Sequence, residues 1–108
     1  MALTRDFKQT VMARANRDRR FREALLVEAI NEFLGGDLVT GKALLRDYIN
    51  AVISFDTLAG RLGKSSKSLQ RMLGPSGNPT AANIFAIIKA LQEHESIELK
   101  VTKTRRAA

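Results

Sequence analysis

Six polar side chains crowd one short stretch of the chain: Ser65, Ser66, Lys67, Ser68, Gln70 and Arg71. Their combined chemistry suits the reading and holding of nucleic acid. A glutamine amide can pair bidentately with adenine, and arginine or lysine can reach the acceptor edge of guanine. Serine hydroxyls are short and can contact base or phosphate. Such groups act together when a helix presents them along one exposed face to a groove. The neighbouring residues provide for that helix. Phe55 to Leu62 reads as a short helix with Ser54 as its N-cap and Leu58, Ala59 and Leu62 inward. Gly63-Lys64-Ser65 is a tight turn, and Gly63 tolerates the positive φ such a turn favours. Ser66 to Leu73 reads as a second short helix with Leu69, Met72 and Leu73 apolar, and Ala59 is small enough to let the two helices cross closely. The spacing predicts a helix-turn-helix at about Ser54 to Leu73. The competing reading is an ordinary helical hairpin with a solvated polar face. Ser54, at a helix N-terminus with outward N–H groups, is expected to hold phosphate. Lys64 is either a phosphate contact or plain turn surface.

Other chemistry is thin. No serine or carboxylate has a plausible base partner in sequence, so no enzyme activity is expected. The absence of cysteine excludes disulfides and thiolate metal sites. His94, the one histidine, neighbours Glu93, Glu95 and Glu98, which reads as a solvated helix end more readily than as a metal site. Gly74-Pro75-Ser76-Gly77-Asn78-Pro79 lacks the Gly-Lys-Ser/Thr of a phosphate loop and reads as a connector. Neither cofactor nor metal is expected.

The elements that must position this stretch follow from patterning. A chain of 108 residues with 44% apolar content suits one globular domain. A helix fits Arg5 to about Asn16, with Thr4 as N-cap and Phe7, Val11 and Ala15 as an apolar stripe. A second fits Arg17 to Leu34, with Phe21, Leu25, Ala29 and Phe33 in one row and Leu26, Ile30 and Leu34 in the next. Gly35-Gly36 stops it. Asp37 caps a third helix to about Val52, whose face carries Leu38, Leu45, Ile49 and Val52 beside Leu44 and Tyr48. After the connector, Thr80 caps a last helix from about Ala81 to Glu93, with Ile84, Phe85, Ile88 and Leu91 inward. Ile97 to Thr102 alternates as a strand does, and residues 103–108 form a basic tail. The expected fold is mainly all-α: five to six helices and one short C-terminal strand in a single domain over 1–102. Within it, 1–53 are N-terminal helices, 54–93 the helix-turn-helix and following helix, and 97–102 the strand.

Charge is unevenly placed. The net value is +7. Residues 1–22 carry seven basic and two acidic side chains, and residues 54–73 carry four and one. Residues 23–53 reverse the sign, with five acidic and two basic. The basic segments suit a polyanion, although solvated helix faces are often basic too. Arg14, Arg17, Arg19, Arg20 and Arg22 read as such a face, or as a nucleic-acid patch. Glu23, Glu28, Glu32 and Asp47 are candidates for meeting a cationic protein partner, or merely balance nearby arginines. The N-terminus has no apolar signal region and no apolar run suffices to span a bilayer, so a cytoplasmic protein with no membrane partner is expected.

Three strings carry a family resemblance: Gly41 to Ala51, Lys67 to Pro75, and Gly77-Asn78-Pro79-Thr80 with Phe85-Ala86-Ile87-Ile88. Ser54 to Leu91 resembles the helix-turn-helix of the Cro/C1-type (XRE) repressor superfamily. Most of the chain resembles its addiction-module antidote group, close to HigA-type antitoxins. The resemblance implies a lambda-repressor-like fold, a homodimer on its own double-stranded DNA operator, and a RelE/HigB-like ribonuclease toxin as partner. It also implies that Asn78 and Thr80 clamp phosphate, while Asn78 before Pro79 is equally ordinary turn chemistry. The reading is thus a sequence-specific transcriptional regulator, an autoregulating antitoxin. The alternative is a protein-interaction module with a vestigial helix-turn-helix. Independently of the resemblance, an unpaired edge at Ile97 to Thr102 favours pairing across a two-fold axis, and one short reading helix gains affinity by dimerising over two half-sites.

Overall fold

Side-chain caps set most of the helix boundaries. In a computed structural model describing residues 5–107, six helices are formed among those residues. They are α1 (Arg5–Arg17), α2 (Arg19–Leu34), α3 (Leu38–Val52), α4 (Phe55–Leu62), α5 (Ser66–Met72) and α6 (Ala81–Glu95). Asp18, Asp37, Ser54, Ser65 and Thr80 each accept the backbone N–H three residues on, at the start of α2 to α6 respectively. Each such cap contributes about 1 kcal/mol. The N–H of Phe21 holds the Asp18 carboxyl below its ordinary range, and that of Thr40 does so for Asp37. Asp18 explains why α2 starts at Arg19 rather than Arg17: a capping aspartate stops one helix and starts the next. The expected Thr4 cap lies outside the described residues.

One apolar core joins the two halves of the chain. It runs from Leu26 and Ala29 of α2 through Leu45, Tyr48 and Ile49 of α3 to Phe55, Leu58 and Ala59 of α4. Leu69, Leu73, Ile84, Ile87 and Leu91 complete it. α3 lies against α1, α2 and α4, and α4 packs on α5 and α6. The three N-terminal helices therefore form the platform on which the α4–α5 pair stands.

Four expectations are corrected. Phe85 does not face inward but is 68% exposed, and Ile87 is buried in its place. The inner row of α6 is thus Ile84, Ile87, Ile88 and Leu91, the i, i+3, i+4, i+7 stripe of a helix. Leu34 and Leu38 are exposed because they flank the Gly35-Gly36 turn, beyond the packed length of α2 and α3. Finally, residues 97–102 form no strand. Ile97 and Leu99 do pack on the core while Glu98 and Lys100 point to solvent, so the alternation is real. What is missing is a second strand within the described chain to ladder with. Among the described residues no helix is long and apolar enough to cross a membrane.

Candidate nucleic-acid interface

The α4–α5 pair is built from its buried face outward. Phe55, Leu58 and Ala59 of α4 and Leu69 of α5 are buried together, with Leu73 closing the end. Between the helices Gly63 takes a left-handed φ of 65°, and the Lys64 N–H closes on the Ala59 carbonyl at 3.0 Å. That conformation costs little for glycine and strains other residues. At the other end of α4, Ser54 sits at φ 81° and ψ 150°, a region nearly reserved for glycine. Such a residue costs on the order of 1–3 kcal/mol and persists only where its surroundings hold it. Here its N–H is bound to Ile49 O at 2.7 Å and its hydroxyl caps α4 at Thr57.

Ten residues were expected to meet DNA, and their places differ in kind. Lys64, Ser65, Lys67, Gln70 and Arg71 are exposed on the turn and on α5, with Ser66 and Ser68 half-buried beside them. Lys67 and Arg71 stand four apart on one helix, and neither forms an ion pair with a carboxylate among the described residues. Their charge is therefore not neutralised locally. Gln70 Nε2 donates to Ser66 Oγ at 3.0 Å, which aligns the amide along the helix. Ser54, Ser65 and Thr80 serve as caps. A capping hydroxyl accepts an N–H yet keeps its own O–H, so Ser65 and Thr80 retain a donor for an anion. Asn78 is exposed in the connector before α6.

The far end of α5 is gripped by groups that the sequence reading did not single out. Lys42, only 3% exposed, donates from Nζ to Gly74 O at 3.0 Å and Gly77 O at 2.7 Å. The Arg46 guanidinium donates to Leu73 O. Two cations from α3 thus satisfy carbonyls that the C-terminus of α5 and its following turn leave open, where positive charge is electrostatically favoured. A signal was present: Lys42 interrupts the apolar row Leu38, Leu45, Ile49 on α3.

A second buried polar cluster was also missed. Glu95 had been grouped with exposed carboxylates at the end of α6, but its side chain is 3% exposed. Its Oε1 accepts Arg22 Nε at 2.7 Å and the Tyr48 hydroxyl at 2.7 Å, tying α6 to α2 and α3. Burial, with the carboxylate beside it, pushes the Tyr48 phenol well above its ordinary range, so it stays protonated as the donor.

The four acidic candidates differ in their surroundings. Arg19 Nε binds Glu23 at 3.1 Å. Asp47 is half-buried, which raises its pKa, while Lys8 and Arg46 act in the opposite sense. Glu28 and Glu32 stand one turn apart, and the Glu32 carboxyl is pushed up by desolvation and by repulsion from Asp37 and Glu28. Glu28 and Asp37 thus stand close enough to Glu32 to repel its charge. Compared with known proteins, the chain matches no family model, no curated protein and no solved structure.

Proposed function

We propose that the chain is a sequence-specific DNA-binding transcriptional regulator that places α5 in the major groove. One observation carries this reading. Lys67, Gln70 and Arg71 lie exposed on a helix whose start is fixed by the Gly63 turn and whose end is held by Lys42 and Arg46. A rigidly mounted helix with free cations and one amide suits base reading better than a vestigial hairpin does. Two copies cover two half-sites, and Lys64 and the first turns of α4 and α6 lie against phosphate. The resemblance to HigA-type antitoxins narrows the proposal to an autoregulating antitoxin, for which the Glu28, Glu32 and Asp37 patch offers an acidic face to a cationic ribonuclease. Failure of such a neighbouring gene product to co-purify would remove the antitoxin form and leave the regulator standing.

The test separates base reading from phosphate holding. Gln70 is uncharged, so Gln70→Ala should cost about 1–3 kcal/mol on the cognate site, relax preference at one position and leave the salt slope unchanged. Lys64→Ala should instead weaken cognate and random DNA alike and lower the salt slope by about one unit. Both side chains are exposed, so both variants should fold as the native chain does. Binding curves over a salt series read the difference. If Gln70→Ala binds cognate DNA like the native chain at every salt, α5 is not the reading helix.

A further inference from the structure

The described chain exposes several large apolar side chains, and four of them border one groove. Val27 and Leu34 of α2, Phe85 and Ile88 of α6, and Leu99 and Val101 line a cavity of about 400 Å³. Phe85 is 68% and Val101 80% exposed. Apolar side chains gathered in this way mark an interaction surface. The rim of the groove is the segment from Ile97, whose alternating half-buried and exposed residues are those of extended chain and which has no partner strand among the described residues.

The backbone of that segment is half used. Ile97 N–H donates to Gln92 O at 3.1 Å and Leu99 N–H to Gln92 Oε1 at 2.8 Å, so both point at α6. In extended chain successive N–H groups point to opposite sides. By that alternation those of Glu98 and Lys100 face away from α6, and neither is hydrogen-bonded among the described residues. The side chains repeat the same logic. Read outward from Leu99, the sequence is self-complementary: Glu98 against Lys100, and Ile97 against Val101. An antiparallel pair with its two-fold axis at Leu99 sets opposite charges across from each other twice and β-branched apolar residues across from each other twice. It also uses the free N–H groups of Glu98 and Lys100 while leaving Leu99 as a non-hydrogen-bonded pair, as its bond to Gln92 requires.

We infer that the groove is the homodimer interface: residues 97–101 of two copies pair antiparallel about Leu99, and the second copy covers Phe85, Leu34 and Val101. This deepens the dimeric part of the proposed function, yet its test reads assembly without DNA. By light scattering at tens of micromolar the native chain should be a dimer. Lys100→Glu should weaken dimerisation about tenfold or more, because two glutamates then face each other on both sides of the axis. Adding Glu98→Lys to it should restore the native dimer. Glu98 and Lys100 side chains are 78% and 80% exposed, so folding, followed by circular dichroism, should be unaffected.

The register has its own readout, since the chain has no cysteine. A non-hydrogen-bonded antiparallel pair sets its Cα atoms about 4.5 Å apart, within disulfide reach. With a disulfide oxidant such as oxidised glutathione added, Leu99→Cys should therefore form a covalent dimer. In Val101→Cys the two thiols stand roughly 13 Å apart along the strands and should cross-link far more slowly. A monomeric native chain, or a dimer indifferent to Lys100→Glu, overturns the proposal and leaves the groove to another protein. Faster cross-linking by Val101→Cys than by Leu99→Cys overturns the register.

Discussion

Glu95→Ala should destabilise the protein by about 3 kcal/mol or more, the largest effect expected of any single truncation outside the apolar core. The reason is what it leaves behind. Glu95 Oε1 is the shared acceptor for Arg22 and for Tyr48, which is fully buried. Removing it strands a phenol in the core and takes the carboxylate from a guanidinium whose side chain is only 23% exposed, leaving it a bond to Asn16 O at 3.4 Å. An unpaired buried donor costs its full desolvation, whereas an intact bond contributes only about 1 kcal/mol net. Glu95→Gln keeps an acceptor for Tyr48 and loses the charge, so about half of the effect should remain. Glu93, two residues away and exposed, is the control, and its alanine variant should stay within about 0.5 kcal/mol of the native chain. In thermal unfolding a loss of 3 kcal/mol lowers Tm by more than about 10 °C in a domain of this size. A Glu95→Ala variant that melts with the Glu93 control would show that the cluster adds nothing to the joining of α6 with α2 and α3.

Gly77→Ala should be the second large effect, and it should reach DNA binding as well as stability. A methyl group at Gly77 would lie 2.3 Å from the carbonyl oxygens of both Arg71 and Met72. Those atoms are backbone at the end of the proposed reading helix and cannot swing aside. The loop must move instead, and with it the Gly77 carbonyl that Lys42 holds at 2.7 Å. The clash costs roughly 1–3 kcal/mol. A buried ammonium short of one acceptor costs about as much again. The refolded fraction should still bind DNA more weakly, because the anchor of the α5 C-terminus has shifted. Gly60→Ala is the contrast: nothing lies within 4 Å of the added methyl, and the site is in the exposed face of α4. That variant should gain up to about 1 kcal/mol from helix propensity. Denaturant unfolding of the two variants gives the comparison, and equal stability would contradict the assigned grip of Lys42 on the loop.

These two clusters also show where sequence reading ends. α3, α4 and α5 were legible because amphipathic spacing, capping serine or aspartate and a turn glycine are local signals. Each speaks within a few residues of where it acts. The Arg22–Glu95 and Lys42–Gly77 contacts join residues 73 and 35 apart, and no periodicity connects them. Phe85 was misplaced because Ile84, Phe85, Ile87 and Ile88 are all apolar, so composition alone does not choose which stripe of α6 turns inward. The segment 97–102 showed the period of a strand correctly but not its state, since a strand is a property of two paired backbone segments together. The polar face of α5 was the most legible part of the candidate interface, being contiguous in sequence, while the groups that orient it were the least.

Selection from random duplex DNA is the decisive experiment for sequence reading by α5. The full native chain, immobilised, would be offered random duplexes through successive rounds at near-physiological salt. One inverted repeat should be enriched, with half-sites centred about 10–10.5 base pairs, or a multiple of that, apart. Duplexes carrying it should be retained more tightly than the starting pool, on the order of 10³-fold or more, a ratio in the range of specific over non-specific binding. Retention that rises with duplex length but never with sequence would mean that Lys67 and Arg71 hold only phosphate. No retention at all would contradict the DNA-binding function outright.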